Sequence, residues 1–324
     1  MTLQQGAAIA GWIPYQLKFH HHQYICNWLY TGHLEYNDPF FIETLLKSKA
    51  HVYNSGPVRV QSEMSVLKEW AETLDAVQPM AFIFHISRCG STLLSQALAL
   101  KDEHIVLSEV PFIDELLQQS EKENWPAALD VKMILKAAFD FYGQNKSGTK
   151  KHLFVKTDSW HIYFLELLRE IYPNVPFILL YRRPDEVIRS QQKKRGTQAV
   201  PGLIPDHILG IEPLLNFSLD QHMANVIESY LTSFKRIACY DSLTLLVNYN
   251  EGIENISRRV AGFCGAELDN ADFEEIVNRG QFDAKNPDRI FNEEGIKGEI
   301  PRYLHPSFTV YEELEQLRTC TFMV

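Results

Sequence analysis

Five short runs of almost uninterrupted apolar residues, each followed by a helical pattern, constrain the fold of this chain most strongly. Such runs are typical of strands buried on both faces, as in a parallel sheet covered by helices. Their alternation with helices predicts a three-layer, doubly wound α/β/α fold with a mainly parallel five-stranded sheet. The predicted strands are Ala81–Ile86, His104–Leu107, His152–Lys156, Pro176–Tyr181 and Thr244–Asn248. The predicted helices are Ser91–Leu100, Pro111–Gln119, Ala127–Tyr142, Trp160–Ile171, Asp185–Lys194, Leu219–Ile237 and Ile253–Cys264.

The length and composition fit a large globular protein. The chain has 324 residues, of which 45% are hydrophobic and 22% are charged, so a packed core is expected. The strand–helix alternation begins only after residue 75. We therefore expect an N-terminal extension, residues 1–75, that packs on a main α/β domain formed by residues 76–324.

The charge balance and the cysteines indicate the partners and the compartment to expect. The formal net charge of -10 opposes non-specific attraction to nucleic acid or to an anionic membrane. The five widely spaced cysteines favour a reducing, cytoplasmic location over a disulfide framework. No apolar run is long enough to span a bilayer. The adjacent histidines His20, His21 and His22 cannot all face one ion on regular structure, so no metal site is expected.

The first predicted strand leads into a turn that suits a dianionic ligand. Residues Ser87–Thr92 (SRCGST) connect this strand directly to a helix, so several backbone N–H groups converge at the positive helix start. Arg88 can form a forked pair with phosphate or sulfate. The turn is not a Walker A loop, because Gly90 is followed by Ser91 without an intervening lysine. The alternative is an ordinary capped turn with a surface arginine.

Residues Ser87–Leu94 resemble the P-[KR]-S-G-[TS]-[TS]-x-L loop of the sulfotransferase family, which binds the 5′-phosphosulfate of the donor. Ser87 replaces the usual proline and Cys89 the usual serine, and both changes leave the backbone N–H groups in place. The resemblance implies that the α/β fold is of the P-loop nucleotide-binding type. It also implies that the donor is 3′-phosphoadenylyl sulfate and that adenosine 3′,5′-bisphosphate is the product, with no metal required. The donor-binding residues that it implies in this loop are Arg88, Cys89, Gly90, Ser91 and Thr92.

A second motif follows the fourth predicted strand. It resembles R-x-P-x-[DE]-V-x-x-S of the same family, in which the arginine and the serine hold the 3′-phosphate of the donor. The resemblance therefore implies this role for Arg182 and Ser190, whereas a solvated basic helix is the alternative. The basic run Lys193-Lys194-Arg195 is interpreted as solvated side chains. The matching positions are Arg182, Pro184, Glu186, Val187 and Ser190.

Sulfuryl transfer needs a base for the acceptor and a cation near the bridging oxygen. Glu109 follows the second strand and is a candidate base, because related sulfotransferases use a glutamate near this point; it could instead be a helix-start carboxylate. Asp158 stands where cytosolic sulfotransferases carry the histidine of K-T-H, and is either a carboxylate base or a helix N-cap. His161 is a third candidate. Lys156 could reach the bridging oxygen or be an ordinary strand-end lysine, and Arg88 is the other cation.

Three functions are therefore compatible with the sequence. The first is a sulfotransferase that acts on a hydroxyl or an amine of a small molecule or another acceptor. The second is a kinase-like P-loop protein that uses ATP, which the missing Walker lysine disfavours. The third is a catalytically silent nucleotide-binding module on the same fold. The motifs specify neither the acceptor nor the oligomeric state.

Overall fold

A five-stranded parallel sheet forms the centre of the protein and confirms the predicted α/β fold. The computed structural model describes residues 9–57, 59–212, 218–285, 288–290 and 299–320. The strand order is β5–β6–β4–β7–β8, and every neighbouring pair is parallel. β6 and β8 begin and end at the predicted residues, and the other three strands differ from the prediction by at most two residues. The strands are β4 (Pro79–His85), β5 (His104–Ser108), β6 (His152–Lys156), β7 (Phe177–Tyr181) and β8 (Thr244–Asn248).

The apolar runs became strands because both faces of the sheet are covered. Every residue of β5 and of β7 is buried, as is every residue but one of β4. Burial of a large apolar side chain contributes about 1.5–3 kcal/mol, so these strands hold much of the stabilising apolar area. They therefore form a rigid platform for the loops at their ends.

The described helices pack in three groups. Helices α3, α10 and α11 contact one another, α7, α9 and α12 form a second group, and α5 contacts α2, α4 and α6. The predicted helix over Trp160–Ile171 begins instead as a 3₁₀ turn, Ser159–Phe164, and continues as α6. The helices are α1 (Phe41–Ser48), α2 (Val66–Ala71), α3 (Ser91–Leu98), α4 (Pro111–Ser120), α5 (Val131–Tyr142), α6 (Leu165–Ile171), α7 (Pro184–Lys193), α8 (Asp206–Leu209), α9 (Leu219–Tyr240), α10 (Ile253–Cys264), α11 (Asn270–Gly280) and α12 (His305–Cys320). None of the described helices is long and apolar enough to cross a membrane.

The N-terminal residues form a second, antiparallel sheet of strands β1 (Trp12–His20), β2 (Gln23–Tyr30) and β3 (Gln61–Glu63). β1 packs against α4 and α5, and the Leu17 amide donates to Glu115 Oε2 at 2.6 Å. The apolar side chains of this sheet belong to the same hydrophobic core as those of the main sheet. The division of the chain near residue 76 stays a prediction.

The strand order places a crevice at the carboxyl end of β4. β5 and β6 lie on one side of β4 within the sheet, and the connection from β6 leads to β7 on the other side of β4. Ligands of open α/β sheets bind at such a switch point, beyond the carboxyl ends of the strands. The residues that follow these strands are therefore the candidates for a functional site.

Candidate functional site

A cavity of about 450 Å³ lies at the carboxyl ends of all five central strands. Each strand contributes at least one residue at or just beyond its end, so the cavity coincides with the crevice that the strand order creates. The contributing residues are His85 at the end of β4, Ser87 and Arg88 after β4, Glu109 after β5, Asp158 after β6, Arg182 after β7 and Tyr249 after β8.

The loop between β4 and α3 has a constrained backbone. Ser87 and Arg88 have left-handed φ angles of 63° and 51°, and Gly90 has a φ of 84°. A Cβ at Gly90 would lie 2.3 Å from the Tyr249 ring, so only glycine fits here. Residues other than glycine cost free energy when they are held at left-handed φ angles, and such residues concentrate at functional sites. The loop therefore has the character of a preorganised binding element.

The start of α3 is suited to an anion. Gly90 is the N-cap residue, no side chain caps the helix, and the first turn carries no acidic residue. The first N–H groups of a helix have no intrahelical partner and carry a partial positive charge. Ser91 and Thr92, at this helix start, line the cavity. A phosphate or sulfate group is the ligand that such a helix start favours.

The two predicted motifs meet in this cavity although they are separated by about a hundred residues in the chain. Arg88 Nε donates to Ser190 Oγ at 2.7 Å. Arg182 Nε donates to Glu186 Oε2 at 2.7 Å, and its guanidinium carbon lies 4.2 Å from the centre of the Tyr249 ring. Arg88 thus contacts a residue of the second motif directly.

The two arginines create a local positive field in a chain of net negative charge. Burial lowers the pKa of Arg88; the carboxylate of Asp283 opposes this shift, and the nearby charge of Arg182 adds to it. Neighbouring cations repel each other unless an anion lies between them. The arrangement therefore favours a ligand with more than one negative charge.

Cys89 lies within the loop but does not line the cavity. Its side chain is fully buried, and the thiol donates to the Leu180 carbonyl oxygen at 3.3 Å. Any contact between Cys89 and a ligand would therefore involve its main chain. The thiol instead ties the loop to β7.

Glu109 and Lys156 form a tight ion pair at the ends of β5 and β6. Lys156 Nζ donates to Glu109 Oε1 at 2.5 Å, and the Glu109 amide donates to the Lys156 carbonyl oxygen at 2.9 Å. Burial raises the pKa of Glu109, but the charge of Lys156 and contacts with His85 outweigh it and hold the pKa well below its ordinary value. Glu109 lines the cavity, whereas Lys156 is completely buried and does not. Glu109 is therefore ionised at neutral pH.

His85 connects this ion pair to the loop. The Ser87 amide donates to His85 Nδ1 at 3.1 Å, which leaves Nε2 as the ring nitrogen that can donate. Nε2 lies 3.0 Å from the Thr157 carbonyl oxygen and 3.5 Å from Glu109 Oε1. His85 therefore bridges the ends of β4, β5 and β6.

Asp158 is an N-cap residue and also lies in the cavity, so it has both of the features that were predicted from the sequence as alternatives. Its carboxylate accepts the Ser159 amide at 2.6 Å and caps the following 3₁₀ turn, and it also lines the cavity. Burial raises the pKa of Asp158, and the negative charge of Glu109 raises it further. His161 does not line the cavity: its Nδ1 accepts the Asp158 amide at 3.3 Å, and its Nε2 lies 3.3 Å from Asp114 Oδ1. His161 thus supports the turn.

Several residues that line the cavity were not among the predicted site residues. His85 is the last residue of β4 and Tyr249 follows β8, so the rule that ligands bind at the carboxyl ends of strands could have found them. Lys194 and Arg195 were interpreted as solvated, yet both line the cavity. Phe40, from the N-terminal residues, and Lys285, from the segment after α11, also line it.

Comparisons with known proteins add the following findings. No family model and no curated protein matches the chain. A sulfotransferase from Mycobacterium tuberculosis has 13% identity and a TM-score of 0.45, over 66% of this chain and 74% of its own. One from Mycobacterium avium has 15% identity and a TM-score of 0.41, over 75% and 78%. A mouse sulfotransferase in complex with PAP has 9% identity and a TM-score of 0.38, over 79% and 91%. All three carry the name of the family that the two motifs resemble, while the fold assignment rests on the sheet of this chain.

Proposed function

We propose that this protein is a sulfotransferase that moves a sulfuryl group from 3′-phosphoadenylyl sulfate to a hydroxyl or an amine. The observation that carries the proposal is the meeting of two anion-binding elements, the loop after β4 and the arginine and serine after β7, in one cavity. A nucleotide with phosphates at both its 3′ and its 5′ position needs two such elements. The absence of a lysine between Gly90 and Ser91 disfavours ATP.

Donor binding would use the loop and the second motif together. The N–H groups at the start of α3 and the guanidinium of Arg88 would hold the 5′-phosphosulfate. Arg182 and Ser190 would hold the 3′-phosphate. Because Ser190 Oγ already accepts from Arg88, a bound donor would place its negative charge beside an existing hydrogen bond between the two motifs. The negative charges of the donor would lie against the positive charges of Arg88 and Arg182 in the cavity.

The transfer step would be an in-line displacement at sulfur. The acceptor oxygen or nitrogen forms a bond to sulfur while the bond between sulfur and the bridging oxygen breaks. The leaving 5′-phosphate takes the electron pair, and the acceptor proton goes to a carboxylate. Positioning and charge stabilisation would supply most of the rate enhancement, as in phosphoryl transfer.

We assign the base role to Asp158 rather than to Glu109. Both carboxylates line the cavity, but their environments move their pKa values in opposite directions. A carboxylate of raised pKa is the stronger base, whereas one held by a lysine is a weak base. Glu109 would then keep Lys156 in place and contribute the negative charge that raises the pKa of Asp158.

Calorimetric titration with three nucleotides tests the proposal. We expect adenosine 3′,5′-bisphosphate to bind at least about tenfold more tightly than ATP or adenosine 5′-monophosphate, because only the bisphosphate reaches both elements. The exposed Lys122→Gln variant, which removes one charge outside the cavity, should bind like wild type. Tighter binding of ATP would instead support a kinase-like function.

Five unpaired cysteines favour a reducing compartment, and we propose a cytoplasmic location.

A further inference from the structure

Lys156 is poorly placed to serve as the cation at the transferred group. Its Nζ lies 2.5 Å from Glu109 Oε1, and its side chain is 0% exposed. It does not line the cavity, and the ring of Phe40, which does, lies 5.0 Å from its Nζ. A lysine that is buried and paired in this way neutralises Glu109. The charge near the sulfuryl group must come from another residue.

Lys285 has the features that Lys156 lacks. It lines the cavity together with Arg88, and its Nζ lies 4.7 Å from the centre of the Phe40 ring. Within the part of the chain that the structure describes, no carboxylate lies within ion-pair distance of this Nζ. A half-buried ammonium group that rests on an aromatic ring without an acidic partner is prepared to bind an anion.

The segment that carries Lys285 is fixed from several sides. The guanidinium of Arg279, in the last turn of α11, donates to the carbonyl oxygens of Asp283 at 3.2 Å and of Ala284 at 3.0 Å. The Asp283 amide donates to the Arg289 carbonyl oxygen at 2.7 Å, and the Lys285 amide donates to Asp283 Oδ1 at 2.8 Å. These bonds hold the backbone of Lys285 in place, so the cavity position of its side chain is built into the fold.

We propose that Lys285 is a catalytic residue that contacts the sulfuryl oxygens of the donor and holds the group in line for attack. This inference rests on the proposed function and deepens it. Arg88 then remains the cation at the bridging oxygen, where negative charge develops as the bond to sulfur breaks. Lys285 neither gains nor loses a proton in this step, because the acceptor proton goes to Asp158.

The charged groups around Lys285 make this contact sensitive to pH. Burial and the charge of Arg88 lower its pKa, Glu109 opposes them, and Lys156 and Lys194 add to the decrease, so that the pKa is about 8. The charged form is present below this pH and is lost as the pH rises through it. Affinity for the sulfated donor should therefore fall above about pH 8. An arginine at this position stays charged and should remove this fall.

The test compares two ligands that differ only in the sulfuryl group. Calorimetry should show that Lys285→Gln weakens binding of 3′-phosphoadenylyl sulfate about 10- to 100-fold, as for a lost charged contact, and binding of adenosine 3′,5′-bisphosphate at most about threefold. Lys285→Arg should keep the affinity for the sulfated donor and show no loss between pH 7 and pH 9. The exposed Lys122→Gln variant is the matched control for loss of one charge.

The outcomes distinguish this inference from the proposed function. If wild type binds both nucleotides and Lys285→Gln binds them as tightly, or loses the same factor for both, the role of Lys285 is overturned while the proposed function stands. If wild type binds neither nucleotide, the proposed function fails and this inference fails with it. Loss of affinity in Lys285→Arg equal to that in Lys285→Gln would also overturn the role, because charge alone should suffice.

Discussion

Replacing Glu109 by glutamine should destabilise the protein strongly, because it leaves a buried lysine without its counter-charge. Lys156 is 0% exposed and donates to Glu109 Oε1 at 2.5 Å. Removing one partner of a buried ion pair costs about 3–5 kcal/mol. Glu109 is 23% exposed and water can partly replace its carboxylate, so we expect about 3 kcal/mol of lost unfolding free energy for Glu109→Gln, measured by urea denaturation.

A second variant separates the ion pair from other effects. In Glu109→Gln/Lys156→Met the unpaired charge is gone, so the double variant should be more stable than Glu109→Gln alone. The exposed Glu123→Gln is the control and should change stability by less than about 0.5 kcal/mol. If Glu109→Gln unfolds like the control, or if the double variant shows the sum of two independent losses, the argument for a structural ion pair is wrong.

The same pair predicts a pH dependence of stability. The folded-state pKa of Glu109 lies below its unfolded value of about 4.3. The ionised carboxylate therefore adds to the unfolding free energy above about pH 4.3. This contribution is lost as the pH falls below about 4. The difference in unfolding free energy between wild type and Glu109→Gln should therefore shrink with acidification. A constant difference from about pH 6 to about pH 3 would contradict the depressed pKa.

Three further predictions concern the cavity. Arg88→Ala and Arg182→Ala should each weaken binding of adenosine 3′,5′-bisphosphate by about 1.5–3 kcal/mol in calorimetry, and unchanged affinity in both would contradict the site. Ser190→Ala should weaken binding of the bisphosphate more than that of adenosine 5′-monophosphate, whereas equal losses would remove its 3′-phosphate role. Asp158→Asn keeps the N-cap, so it should unfold like wild type. It should nevertheless lose the rise of activity with pH that an ionising base produces, measured as formation of adenosine 3′,5′-bisphosphate from the donor; an unchanged pH profile would reassign the base.

The central sheet and two of its loops could be predicted because their signals are local. The predicted ends of β6 and β8 agree with the structure, because a short unbroken apolar run between polar segments favours a buried strand. The loop after β4 was identifiable because a glycine and two hydroxyl residues lie between a strand and a helix. The strand-end rule then predicts a shared crevice for Arg88 and Arg182, and both line one cavity.

The remaining features depend on contacts between distant parts of the chain. The β1–β2 hairpin was missed because His21 and His22 occupy its two-residue turn with φ angles of 47° and 63°, a conformation that Asn and Gly normally mark. Phe40 and Lys285 reach the cavity from segments outside the central strands. Lys285 comes close to Arg88 only through tertiary packing, in which the Arg279 guanidinium binds the carbonyl oxygens of Asp283 and Ala284.

A crystal structure with adenosine 3′,5′-bisphosphate tests the central claim most directly. The account predicts one nucleotide whose 5′-phosphate lies on the amides of Ser91 and Thr92 and whose 3′-phosphate contacts Arg182 and Ser190. A nucleotide bound elsewhere on the protein, or one that occupies the cavity with only one of its phosphates in contact with these residues, would contradict it.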